Sequence, residues 1–319
     1  MYTYILKRIL LFVPTIIIVS IIVFLIMRLI PGDPAIQILS GDLGDASYTE
    51  EDLAILRAKL GTDKPIFEQY YTWSWNMLQL DFGKSFQRST QISDDLKKKF
   101  PITMELTILA MIMAIIIAVP MGVISAVNQD KPIDYVARII ANAGVAFPTF
   151  WTGIILITLL VLWFDYLPPL GYADLWEDPQ KNLQQLIFPA VALGFFNMAF
   201  IARVTRSAML EVIREDYVRT ARAKGLAERW VVLRHCLKNS LLPVVTVSGW
   251  QFGLLLSGTV IIETIFVIPG VGRYLLDSIF QRDYAVTQAA VMVITFLVVA
   301  LNLLTDLLYG WLDPRIRYQ

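Results

Sequence analysis

The chain is poor in the residues that build metal centres and covalent staples. It holds one cysteine, Cys236, and one histidine, His235, in 319 residues. One cysteine excludes an intrachain disulfide and any cysteine-cluster metal site. One histidine excludes multi-histidine sites such as H-E-x-x-H. Charge is scarce too: Asp, Glu, Lys and Arg make up 17% of the residues, against about 25% in a soluble globular chain. The 27 basic and 27 acidic residues cancel to a net charge of +0, so bulk charge gives no pointer to nucleic acid. What is abundant is apolar surface: 56% of the residues are hydrophobic, and the mean hydropathy is +0.60. Apolar runs longer than about 18 residues point to a polytopic, all-α membrane protein. They exclude a disordered tail, a coiled coil and an ordinary cytosolic enzyme.

A membrane helix needs about 20 mostly apolar residues. Six stretches qualify: Ile9–Ile30, Thr103–Val127, Ile139–Phe164, Leu186–Val204, Leu241–Ile262 and Thr287–Leu312. The first is too long for the apolar core of a secretory signal and ends in Arg28-Leu29-Ile30-Pro31, which is no small-residue cleavage site, so it reads as a retained anchor. Basic residues fix the orientation. With the N-terminus in the cytoplasm, that side holds Lys7, Arg8, Lys131, Arg138, the group Arg203, Arg206, Arg214, Arg219, Arg222, Lys224, Arg229, Arg234 and Lys238, and Arg315 and Arg317. The two short outside loops hold Lys181, Arg273 and Arg282. Six spans return the C-terminus to the cytoplasm. Glycines and prolines inside the spans (Pro120, Gly122, Gly144, Pro148, Pro189, Gly194, Gly249, Gly253 and Gly258) suit either a bundle with bends and close helix approach or the ordinary composition of membrane helices.

The segment after the first span is the largest outside loop. Thr49 with Asp52 resembles a capping box opening a helix that carries Leu53, Leu56 and Leu60 and stops at Gly61. Ile66, Tyr70, Trp73 and Met77 then recur at helical spacing. This pair of helices fits the membrane surface, or a cap that meets a partner protein. Two motifs here mislead. Gly83-Lys84-Ser85 lacks the earlier P-loop glycine, because position 78 is Leu78. Asp81-Phe82-Gly83 has no accompanying kinase motifs. The chain therefore carries no nucleotide site of its own. Glu263, at the end of a span, is expected to be solvated there rather than buried in the membrane.

The densest information lies at 205–240. Thr205–Lys224 reads as one helix, ended by Gly225, where a left-handed cap is free of steric strain. A second helix is expected over Ala227–Ser240. Two short helices bent at a glycine and anchored at both ends form a lever. Tyr217, Ala221 and Gly225 share a face by spacing. Arg219, Arg222 and Lys224 suit carboxylates at a rim, or plain positive-inside bias. His235 and Cys236 are adjacent, so on a helix they do not face one another and make no Cys–His pair.

These residues suggest a family. Tyr217-Val218-Arg219-Thr220-Ala221-Arg222-Ala223-Lys224-Gly225-Leu226, followed by His235, Leu237, Asn239 and Leu241-Leu242-Pro243, resembles the EAA loop of ABC-importer permeases of the dipeptide/oligopeptide/nickel branch. Pro31-Gly32-Asp33-Pro34, Asp81-Phe82-Gly83, Glu263-Thr264-Ile265-Phe266, Pro269-Gly270-Val271-Gly272, Arg282-Asp283-Tyr284 and Asp313-Pro314-Arg315-Ile316-Arg317 resemble the same branch, so the likeness spans the chain. The general pattern has Glu-Ala-Ala where Arg219-Thr220-Ala221 stand here, so no acid at that position takes a docking role. The resemblance implies a type I importer permease fold of the first ("B-type") permease subunit. It divides the chain into 1–30 (first span), 31–100 (extracytoplasmic helical insertion) and 101–319 (five-helix core with the coupling loop at about 205–240).

It further implies a bacterial or archaeal cytoplasmic membrane protein that is not itself an enzyme. Its partners would be a second permease, two cytoplasmic ATPases that bind ATP and Mg, and an extracytoplasmic binding protein, with membrane lipid around it and no nucleic acid. Tyr217, Val218, Arg219, Ala221, Arg222, Lys224, Gly225 and Leu226 would dock the ATPase. No catalytic or metal residues are expected. The residues offer Asn142, Phe147, Phe150, Asn197, Trp250 and Gln251 as pathway lining, with Pro148 near a bend; the polar ones suit interhelical hydrogen bonds equally. The cargo implied is short peptides, with nickel, glutathione and oligosaccharides in the same branch. Two other classes compete. A gradient-driven carrier needs no lever and is expected to show paired buried acids or an internal repeat, neither of which is evident. An intramembrane hydrolase needs a Ser/His/Asp or metal constellation that the spans lack.

Overall fold

The computed structural model describes residues 2–29, 33–40 and 48–312, and the expectations at Pro31-Gly32 and Asp313–Arg317 lie outside them. In chain order the helices are α1 (Tyr2–Leu29), α2 (Pro34–Ser40), α3 (Glu50–Leu60), α4 (Ile66–Leu78), α5 (Ile92–Val127), α6 (Pro132–Ala146), α7 (Thr149–Phe164), α8 (Pro179–Ile213), α9 (Asp216–Ala223), α10 (Glu228–Trp230), α11 (Lys238–Ile265), α12 (Val271–Phe280) and α13 (Tyr284–Leu312). A π-helical turn, Val231–Leu237, joins α10 to α11. Among the described residues the one β-type pairing is the isolated bridge between Lys84 and Gln91.

Five of these helical stretches are long and apolar enough to cross a membrane, and a sixth span is formed if α6 and α7 count as one. That pair covers the expected span Ile139–Phe164, begins earlier, at Pro132, and is bent where Pro148 was expected to bend it. The chain turns by 111° between α6 and α7. The cause is local: Pro148 disfavours helical geometry at the residue before it, and Phe147 sits in the extended region at φ −91°, ψ 132°.

The core is the contact between α5 and α8. Ala110, Ala114, Ala118 and Gly122 recur every fourth residue along α5 and are buried. This strip of small residues lets the backbones meet. A Cβ on Gly194 would lie 2.7 Å from the Ala110 carbonyl oxygen, and one on Gly122 would lie 2.6 Å from Thr205 Cβ. Gly144 of α6 meets Ala199 of α8 in the same way. Close approach of this kind replaces the hydrophobic drive that lipid removes.

The segment before α5 is organised by its own caps. Thr49 Oγ1 accepts from the Asp52 amide at 3.1 Å, and Asp52 accepts from the Thr49 amide at 3.0 Å, completing the capping box. Gly61 closes α3 at φ +69°. The Tyr70 and Trp73 rings pack on Phe24 of α1 at 5.4 and 5.6 Å, and Tyr70 shares a 2.8 Å hydrogen bond with Ser20. The false P-loop has a structural task. Ser85 is buried and donates to Asp283 at 2.6 Å, which ties the Lys84–Gln91 hairpin to the start of α13.

Candidate coupling surface and its braces

The expected helix Thr205–Lys224 is broken. α8 ends at Ile213, Arg214 and Glu215 turn the chain, and α9 restarts at Asp216. The reason is burial rather than propensity. Val218 and Ala221 of α9 fold down into a cluster with Met209 of α8, Ala126 of α5 and Val231, Val232 and Cys236. A continuous α8 would carry both side chains away from that cluster.

The end of α9 is a Schellman cap. Gly225 adopts φ +77°, its amide donates to Arg222 O at 2.9 Å, and the Leu226 amide donates to Ala221 O at 3.4 Å. Across the turn, Arg222 meets Glu228 in a two-pronged pair, Nε–Oε2 3.1 Å and Nη2–Oε1 2.7 Å. The Glu228 carboxylate raises the pKa of Arg222 further. Asn239 of α11 donates to the Tyr217 hydroxyl at 2.7 Å and to His235 O at 3.2 Å, fixing the other end of α9.

The eight residues read as docking residues therefore divide. Tyr217, Arg219, Arg222, Lys224, Gly225 and Leu226 are exposed, and Val218 and Ala221 are buried against this chain's own helices. In this chain the latter two seat α9 on the bundle. Trp230 and Leu233 continue the exposed apolar surface that Leu226 begins.

The six residues offered as pathway lining differ in exposure. Asn142, Phe147, Phe150 and Trp250 are exposed on the bundle surface, with Phe147 stacked on Trp151 at 4.4 Å. Asn197 and Gln251 are buried inside the bundle of this one chain. Gln251 leaves both side-chain polar atoms without a partner, and Asn197 leaves its oxygen so.

Two buried carboxylates hold the ends of α5. At the basic end, Asp134 of α6 is fully buried and bonded to Arg206 of α8 and Ser125 of α5. At the other end, Glu263 is also fully buried, which overturns the expectation of a solvated acid. It accepts from Thr103 Oγ1 at 2.6 Å and from the Arg273 amide at 2.9 Å, and Thr103 Oγ1 accepts from the Val271 amide at 2.8 Å. A Cβ on Gly270 would fall on that carboxylate, so the Pro269–Gly272 turn wraps it. Thr103 and Ser125 lie about 33 Å apart along α5, close to the thickness of the hydrocarbon layer. The sequence shows an acid near each of these span ends but not the partners that bury it.

A family model described as the binding-protein-dependent transport system inner membrane component matches residues 118–318. The N-terminal model of the same transport systems' membrane component matches residues 1–107. The glutathione transport system permease protein GsiC of Escherichia coli (strain K12) is 40% identical over 319 residues, 100% of each chain. A Brucella abortus (strain 2308) protein whose name places it in a peptide transport system as permease is 40% identical over 98% of each chain. Among solved structures, an inward-facing MetNI methionine ABC transporter shares the fold at TM-score 0.57 and 17% identity, over 69% of this chain and 96% of that one. The chain belongs to the inner membrane components of binding-protein-dependent transport systems, and is an ABC-importer permease of the peptide/oligopeptide branch.

Proposed function

We propose that this permease forms part of the pathway for short peptides and that α9 with the Gly225 turn is the coupling helix. The exposed face of Tyr217, Arg219, Arg222, Lys224 and Leu226 sits in a groove on a cytoplasmic ATPase. The ATPase binds ATP and Mg, and this chain hydrolyses nothing itself. Closure of two such ATPases pushes α9, and the spans swing between inward- and outward-facing states. A second permease completes the pathway, and an extracytoplasmic binding protein delivers the cargo. Both termini lie in the cytoplasm. Residues 1–30 anchor the chain, 31–100 form the outside insertion, and 101–319 form the moving core.

One observation carries the reading: α9 is glued to the bundle by Val218 and Ala221 and presents everything else outward. A helix needed only to connect two spans would need no such fixed, exposed platform. The names of relatives at 40% identity support peptide cargo, and GsiC favours glutathione, itself a tripeptide. Nickel and oligosaccharides have no such support.

The test is to purify the tagged chain in mild detergent and identify its companions by mass spectrometry. A stoichiometric ATPase with a second permease is the expected result, and a captured binding protein then reveals its ligand. A chain that stays alone after gentle crosslinking would refute the coupling assignment. Sidedness is checked separately on a Cys236→Ser background. Phe67→Cys should react with an impermeant maleimide in intact cells, and Arg229→Cys only after permeabilisation.

A further inference from the structure

We infer that Asp134 and Arg206, with Ser125, are positioning residues that make α5, α6 and α8 follow the coupling helix as one body. This rests on the coupling role of α9 proposed above.

Asp134 lies in the first turn of α6 and is inaccessible to solvent. Arg206 donates to it twice, Nε to Oδ1 at 2.8 Å and Nη2 to Oδ2 at 2.7 Å. Ser125 Oγ donates to Oδ1 at 2.5 Å, and the Asp130 amide donates to Oδ2 at 3.0 Å. Two donors on each oxygen fill the carboxylate's acceptor capacity. Arg206 Nε also reaches Ser125 Oγ at 3.0 Å. One carboxylate thus ties three helices together.

The placement relates this knot to coupling. Arg206 stands one turn before Met209, and Ser125 directly precedes Ala126. Met209 and Ala126 both belong to the cluster that seats Val218 and Ala221 of α9. The same two helices, α5 and α8, therefore carry both the coupling seat and the groups that hold Asp134, one turn apart on α8 and adjacent on α5. No residue of α6 belongs to that cluster. Beside its packing on α5 and α8, α6 is tied by the Asp134 carboxylate to the two helices that carry that seat. α6 leads into the 111° break and α7, so a push that reaches Asp134 would be passed on to the bent pair. A two-pronged pair on a buried carboxylate resists sliding because displacement leaves that buried charge without its partner. Stability alone would be served as well by apolar side chains of similar volume.

The test uses the whole complex in proteoliposomes, measuring cargo moved per ATP hydrolysed. Asp134→Asn keeps the shape and removes the charge. Arg206→Lys keeps the charge and removes the fork. Ser125→Ala keeps both charges and removes one donor. The expected result is a fall in cargo per ATP of about tenfold for Asp134→Asn, less for Arg206→Lys and least for Ser125→Ala, while hydrolysis by the ATPase continues. A purely structural role predicts less assembled complex with the wild-type ratio of cargo to ATP, and that outcome overturns the inference. If Asp134→Asn does not assemble, the other two variants decide on the same ratio. If the wild-type complex moves no cargo with ATP, it is the proposed function that has failed, and the variants are then not the cause.

Discussion

Gly225 separates two explanations for a glycine in a coupling turn. Its φ is +77°, a region that L-residues occupy at a cost of about 1–2 kcal/mol. A Cβ built there meets nothing within 4 Å. Within this chain the position therefore restricts conformation and not size. Replacement by Asn, which tolerates the left-handed region, should nearly preserve the turn. Ala and Leu should weaken it by about 1–2 kcal/mol each, and Val by more, because branching at Cβ makes positive φ hardest. If transport needs the closed turn, each ~1.4 kcal/mol lowers the competent fraction about tenfold once the turn is the weak point. ATP-driven uptake in proteoliposomes should then rank Gly, Asn, Ala with Leu, and last Val. Tryptic cleavage after Arg222 and Lys224 should accelerate in the same order. A ranking by volume, with Ala best, Asn and Val next and Leu last, would refute this reasoning. It would mean that the ATPase surface crowds position 225.

Three further outcomes are expected. Gly194→Ala must push α8 away from the Ala110 carbonyl, which is backbone and cannot turn aside; a loss of about 1–3 kcal/mol is expected, read from the temperature at which buried Cys236 becomes reactive to a thiol dye. Glu263→Gln turns an acceptor into a donor facing the Thr103 hydroxyl or the Arg273 amide, costing about 1–3 kcal/mol; protease added from the outside should then cut within 266–283 faster than in the wild type. The pKa of Asp52 is lowered by its hydrogen bonds to Thr49. A lowered acid stabilises the fold above its unfolded pKa and stops doing so as pH falls through the folded value. Circular dichroism of a peptide spanning 48–62 should therefore show helicity falling with acid, and Asp52→Asn should show a smaller fall.

Local rules made some features legible. The capping box of Thr49 and Asp52, the stop at Gly61 and the cap at Gly225 follow from side chains and backbone freedom within a few residues, and they stand where the spacing put them. The break at Phe147 was partly visible, because Pro148 announces it, but its 111° angle was not. The division of the loop at 205–240 could not be read, because helix propensity runs unbroken through Arg214 and Glu215. Only the cluster around Met209 and Cys236 gives Val218 and Ala221 a reason to turn inward.

The sequence by itself determined the membrane class, the apolar spans and the family, since these depend on composition, on run length and on motifs carried in order along the chain. The tertiary structure alone decided which residues of the 205–240 loop are exposed and which hold it down. It alone also joined Asp134 to Arg206 and Glu263 to Thr103, 72 and 160 residues apart. Periodicity describes one helix at a time. The partner of a buried charge is set by how helices are brought together, and here small residues at Gly122, Gly194 and Ala110 set that approach.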